Sequence, residues 1–253
     1  MQKNIENWIS IPKSGQINRR IPKNMFYEQP EFNNRDKQLF VDYLDSIRIV
    51  GILNQDVIST QPFVSDELNY TDISILLVQL KNLDKCKPIA KLIHETIPYP
   101  ALIFLYEENE IIVSTAMKRI HQIKKDKAIV DEVAFSHKLN LTELREPDLA
   151  FVEKLHLATL PYSNFYRLFQ ELHNRVQITN TIDVLGIYPS KLDSIPSIQE
   201  WLKRIEDVSE EIKRLNNQMN KEKNFGKKMD IHVKIKMLEK RLTDAMEKLS
   251  EVC

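Results

Sequence analysis

The sequence predicts an α/β or α+β fold: a mixed sheet flanked by helices, followed by a C-terminal antiparallel helical hairpin. Three features point there. The run Asp72-Ile-Ser-Ile-Leu-Leu-Val-Gln-Leu-Lys81 is apolar on both faces over its centre, helical and strand patterns alternate from Asp36 to His137, and two heptad series follow Ser197.

In chain order, residues 1–35 are polar, poor in periodic apolar positions and hold Pro12, Pro22 and Pro30, which predicts an extended arm. Leu39, Phe40, Tyr43, Leu44 and Ile47 recur three and four apart, predicting a helix started near Asn34 or Asp36. Val57-Ile58-Ser59 reads as the first strand and 72–81 as a central one covered on both sides. Residues 88–96 form a short helix with Ile89, Leu92 and Ile93 inward, stopped by Pro98 and Pro100 because proline cannot continue the hydrogen-bond ladder. Residues 101–106 are a second buried strand, 107–110 a polar turn, 111–116 its antiparallel partner and 128–135 a further strand.

The predicted mixed-sheet domain therefore spans 36–137. Residues 138–196 form a helical extension packed on it, with Leu149, Phe151, Val152 and Leu155, then Phe165, Leu168, Phe169 and Leu172, on core-facing stripes. Ser163 or Asn164 starts the second of these helices. Over 197–253, Ile198, Trp201, Ile205, Val208, Ile212, Leu215 and Met219 occupy heptad a/d positions, as do Ile231, Ile235, Leu238, Leu242, Ala245, Leu249 and Val252. Asn224-Phe225-Gly226 lies between the two series, so a tight turn and a hairpin are expected, with an interrupted long helix that dimerises as the alternative. Trp201, Ile205, Ile212, Leu238, Leu242 and Leu249 are the expected contacts to a protein partner or to a second copy.

Composition excludes several functions. The 36 basic and 36 acidic side chains balance, which removes any general attraction for nucleic acid. The four glycines stand too far apart for a dinucleotide turn or a phosphate loop. Two cysteines, Cys86 and Cys253, with no Cys-x-x-Cys pair, and the lack of a ~18-residue apolar run predict a cytoplasmic chain with neither thiolate zinc site nor membrane span. No His-x-x-x-His pair aims two ligands at a metal, and no Gly-x-Ser-x-Gly elbow marks a nucleophile, so no resident metal or cofactor is expected.

Two kinds of chemistry remain. Gln79-Leu80-Lys81 ends the central strand with two polar side chains on one face, as in nucleases of the Asp, Asp/Glu-x-Lys type, where a carboxylate binds Mg²⁺ and the lysine positions water. Asp72 is one of the acids that could complete that set, although Gln79 stands where a charged ligand is usual; the plainer reading makes Lys81 a solvated strand end. Basic clusters at Arg19, Arg20 and Lys23, and at Lys118, Arg119, Lys124 and Lys125, are candidate phosphate contacts or, more simply, surface charge.

Arg20-Ile21-Pro22-Lys23 followed by Phe26-Tyr27-Glu28, the strand ending Gln79-Leu80-Lys81, and Ile97-Pro98-Tyr99-Pro100 leading into 101–105 resemble the bacterial and archaeal family known as domain of unknown function forty-three ninety-one. The resemblance runs roughly from Trp8 to Gly186, with the coiled coil as an appendage. It implies an accessory component encoded beside DNA methyltransferases and helicases in restriction-like, anti-phage gene clusters, and it carries no established catalytic residues. The expected function is a non-enzymatic adaptor that docks a helicase, methyltransferase or nuclease. A metal-dependent nuclease centred on Lys81 is the alternative.

Overall fold

The structure, a computed structural model, describes residues 1–27, 32–121, 128–190 and 192–253. The elements are α1 (Gln2–Ile9), β1 (Gln16–Ile21), α2 (Asn24–Tyr27), α3 (Asn34–Tyr43), β2 (Leu44–Leu53), β3 (Phe63–Val64), β4 (Asn69–Tyr70), β5 (Ile73–Leu80) and α4 (Cys86–Thr96). They continue with β6 (Ala101–Glu107), β7 (Glu110–Ile120), β8 (Ala128–Phe135), β9 (Leu139–Asn140), α5 (Glu146–Lys154), α6 (Phe165–Gln177), α7 (Asn180–Leu185), α8 (Ile195–Lys221) and α9 (Phe225–Val252). The fold is mixed α/β, as the sequence predicts, and divides into two compact units, Met1–Thr179 and Asn180–Cys253.

The first unit is built on one mixed sheet in the order β1-β2-β5-β6-β7-β8, with β9 on the far end of β7. All neighbours are antiparallel except β5 and β6, which run parallel because α4 carries the chain across. Strand side chains alternate between faces. One face holds Ile47, Leu76, Val78, Ile103 and Leu105 in a core with Phe40 of α3 and Ile89 and Ile93 of α4. The other face holds Phe104, whose ring lies 6.4 Å from that of Trp8 in α1, and Thr115, which meets His173 of α6. Both faces of β5 and β6 are therefore covered, which is why those strands read as unbroken apolar runs.

The N-terminal expectation is corrected. Residues 1–27 are folded into this unit: Ile5, Ile9 and Ile11 are buried, and β1 pairs antiparallel with β2. A Cβ on Gly51 would lie 2.9 Å from Ile11 Cδ1, so the segment rests directly against the sheet. The first half of the sheet is also corrected. The strand is Leu44–Leu53, where Ile47, Ile49 and Gly51 alternate with Arg48 and Val50, and not Val57-Ile58-Ser59, which lies in a turn. Leu44 and Ile47 fit a helical stripe by spacing, but the β-branched run after Ser46 favours the pleated form.

The second unit holds α7, α8 and α9. Helices α8 and α9 pack on each other through Leu215, Ile231 and Ile235, with Ile212, Met219 and Leu238 alongside. The turn lies two residues earlier than expected, at 222–224: Glu222 Oε1 accepts the N–H of Lys223 and Asn224, while Asn224 Oδ1 caps α9 by accepting Lys227 N–H. Phe225 and Gly226 already belong to the first turn of α9.

Candidate functional site

Of the residues that carry the family resemblance, Arg20, Lys23, Gln79 and Lys81 gather at one end of the sheet, whereas residues 97–100 lie at the other, where Pro100 O accepts the N–H of Ser74. The β1/β2 register sets Arg20 opposite Arg48, and the β2/β5 register sets Ser46 opposite Gln79, with Asp45 in a bulge between Leu44 and Ser46. Arg48 Nη1 donates to Asn18 Oδ1 at 2.6 Å, and Ser46 Oγ donates to Gln79 Oε1 at 3.4 Å. Lys23 Nζ donates to the carbonyl of Leu44, the residue that ends α3, and Lys81 Nζ donates to Val41 O in the last turn of α3 at 3.4 Å. The Lys23 ammonium is pushed below its ordinary range, first by burial, then by Lys81 and Arg20, with Asp45 opposing. Tyr106, in register with Gln79, is raised by burial and by Asp45. Arg19 and Arg20 are exposed on the strand edge.

Asp72 does not join them. It precedes β5 while Gln79 sits at its far end, seven residues and so about 23 Å along the strand. Thr71 Oγ1 donates to the Asp72 carboxylate at 3.0 Å. Among the described residues no group of three or more His, Cys, Asp or Glu side chains could hold a metal ion. An Mg²⁺ ion therefore lacks a fitting donor set around Lys81, and no step is derived through one.

The second basic cluster is corrected at Lys118. This residue is only 3% exposed, and its Nζ donates to the carbonyls of Ile97 and, at 2.7 Å, Tyr99, where α4 ends. Burial pushes its pKa down to about 7. A phosphate could not reach it. Arg119 is exposed but gripped by Asp131, with Nε 2.7 and 2.8 Å from the two carboxylate oxygens. Lys124 and Lys125 lie outside the described residues.

Sequence reasoning missed the buried polar groups on and around β7. His94 Nε2 meets Ser114 Oγ at 3.1 Å on one face, and His173 Nδ1 meets Thr115 Oγ1 at 3.0 Å on the other, with Glu132 Oε2 3.7 Å from His173 Nε2. Tyr70 OH accepts the N–H of Lys118 and donates to its carbonyl, filling the place where β6 would otherwise continue the ladder. These contacts join residues 20 to 58 positions apart, so no local signal announces them. A serine–histidine pair also forms, Ser10 Oγ to His156 Nε2 at 2.5 Å. Because His156 Nδ1 accepts the Ala158 N–H, Nε2 carries the proton and donates, so this histidine is in the wrong tautomer to take a proton from Ser10.

In the hairpin, the expected partner residues turn inward. Ile205 and Leu249 are buried, and Ile212, Leu238, Leu242 and Trp201 are half-buried, with Ile212 and Leu238 packed on the α8/α9 core. Around Ile212, Leu215, Ile231, Ile235 and Leu238 the seam is thus filled within the chain. The outward apolar residues are Phe225, Met229, Val233 and Met237 of α9, exposed by 78%, 47%, 49% and 63%. They stand four apart, which their heptad neighbours conceal in the sequence. No helix among the described residues is long and apolar enough to cross a membrane.

Comparison with known proteins finds one family: the model described as Domain of unknown function (DUF4391) matches residues 9–242. No curated protein and no solved structure matches the chain.

Proposed function

The chain belongs to the DUF4391 family, and from its surfaces we propose that it is a non-enzymatic accessory subunit, cytoplasmic, that docks a helicase, methyltransferase or nuclease of a restriction-like anti-phage system. The observation that carries this reading is the hairpin. Heptad residues Ile212, Leu215, Met219, Ile231, Ile235 and Leu238 pack α8 on α9, while Phe225, Met229, Val233 and Met237 of α9 stay exposed. Exposed apolar residues aligned on one helix face mark an interaction surface more often than scattered ones do.

The test is co-expression with the products of its own gene cluster, followed by size exclusion with light scattering. The chain alone is expected to run as a monomer, since its seam is filled, and to shift into a complex with one helicase or methyltransferase at physiological salt. Elution alone beside every such product would sink the reading.

A nucleic-acid contact is a second reading, favoured by the gathering of Arg19, Arg20, Lys23, Arg48 and Lys81 at one end of the sheet. It predicts single-stranded or duplex DNA binding that weakens steeply with salt and that Arg20→Ala together with Arg48→Ala reduces. Binding indifferent to both salt and substitution would remove it.

A further inference from the structure

Resting on the docking reading, we infer that the outward stripe of α9 seats an acidic amphipathic helix supplied by another protein. The placement of the stripe comes first. At 3.6 residues per turn, Phe225, Met229, Val233 and Met237 centre on a direction about 180° from the seam residues Ile231, Ile235, Leu238, Leu242 and Leu249. Helix α8 occupies one side of α9, and the stripe occupies the opposite side. It runs about 18 Å, three turns of helix. Residues four apart form one continuous ridge, and ridges of this kind pack into the matching grooves of a second helix crossing at about −50°. Met229 and Met237 have unbranched side chains that adapt to the surface laid on them.

Charge then selects the occupant. The chain as a whole is balanced, yet residues 225–241 hold six Lys and Arg against two acids, Asp230 and Glu239. By the same helical angle Lys228, His232 and Lys236 border one side of the stripe, and Lys240 extends it beyond Met237. Lys236 shares its charge with Glu239, 2.6 Å away. Asp230 and Glu239 are the acids set against these cations, Asp230 with Lys234 and Arg241 on the opposite border, so the surroundings of the stripe are net positive. A second copy of this helix would set like charge against like, while a helix with Glu and Asp flanking its apolar face meets net opposite charge. The mode is an apolar helix face laid along another, with charged borders fixing which helix is accepted.

The probe is a fluorescent peptide of about 18 residues with Leu at alternating three- and four-residue spacing and Glu on the flanks. Its control carries Lys in place of Glu, and vesicles of equal phosphatidylglycerol and phosphatidylcholine form a third arm. Each is titrated with the full chain and with Met229→Glu/Met237→Glu, whose melting curve checks that the exposed substitutions leave the fold intact. The expected result is an affinity for the acidic peptide at least tenfold above that for the basic one, lost at least tenfold in the variant. Absent binding, equal binding of both peptides, or binding undiminished in the variant overturns the inference, and vesicle binding that the variant loses while the acidic peptide stays free reassigns the stripe to a lipid surface. The same variant is carried through the co-elution experiment. Co-elution that survives in the variant beside a negative peptide result removes the stripe and leaves the adaptor reading standing, whereas peptide binding without any co-eluting partner does the reverse.

Discussion

Lys118 shows how far one side chain departs from its local appearance. It sits in Met117-Lys118-Arg119, a sequence that suggests surface, yet its amine lies under α4 and holds the two carbonyls that follow that helix. A cation at a helix C-terminus meets the negative end of the dipole, but burial disfavours the charge and brings the pKa to about 7. In the unfolded chain the same lysine titrates near its ordinary 10.5. Between those values the unfolded state holds the extra proton, so stability rises as pH climbs from about 7 towards 10, by at most about 1.4 kcal/mol per pH unit for this one group. Urea unfolding at pH 7, 8 and 9 checks it: Lys118→Met is expected to flatten the slope, and an unchanged slope would count against the assignment. Lys23, depressed in the same direction, adds a slope of the same sign that the variant retains. His94, fully buried and held neutral chiefly by burial, acts at the other end, withdrawing stability as pH falls below its ordinary 6.5. None of this was legible in the sequence, because each group is defined by residues from another strand or helix.

Elements differ in the same way. Strands β5 to β8 and helix α4 were legible because their signals are local: apolar runs, a polar turn, and prolines that stop a helix. Strand β2 was not, since Leu44 and Ile47 satisfy helical and strand spacing equally until β1 and β5 are placed beside them. The basic motif residues Lys23 and Lys81 also gain an element-level explanation, for both donate to carbonyls at the end of α3 as Lys118 does for α4. The heptads were the most legible signal, but sequence could not say that α8 and α9 would satisfy each other, nor that Phe225, Met229, Val233 and Met237 would be the residues left outside. A pair of substitutions separates seam from stripe. Ile235→Ala empties a buried position and is expected to cost about 2–4 kcal/mol, while Met237→Ala, 63% exposed, should stay within about 0.5 kcal/mol. Thermal unfolding followed by helicity measures both, and equal costs would mean that the seam has been misplaced.

At the scale of the molecule, the two units are built by different rules. Met1–Thr179 is organised around strands whose neighbours come from distant parts of the chain, whereas Asn180–Cys253 relies on a thin apolar seam between neighbouring helices. Local opening should follow that contrast. Native-state hydrogen exchange is expected to be slowest at the amides of β5 and β6, paired on both sides and covered on both faces, and faster by orders of magnitude at the 222–224 end of the hairpin; uniform protection would contradict it. Within the larger unit, strand order was the least legible property, because β1 comes from a segment that looks unstructured and lies outermost in the sheet. That position has a consequence for solubility. Residues 46–53 of β2 form an Ile- and Val-rich strand whose outer row of N–H and C=O groups is occupied by β1. With β1 lifted away, that row would become a template for strand addition and fibril-like stacking, and the exposed charges of Arg19 and Arg20 on the rim discourage a second sheet from docking there. The first two dozen residues thus cover an edge that would otherwise lie open, and a preparation clipped near residue 22 is expected to precipitate rather than lose a dispensable tail.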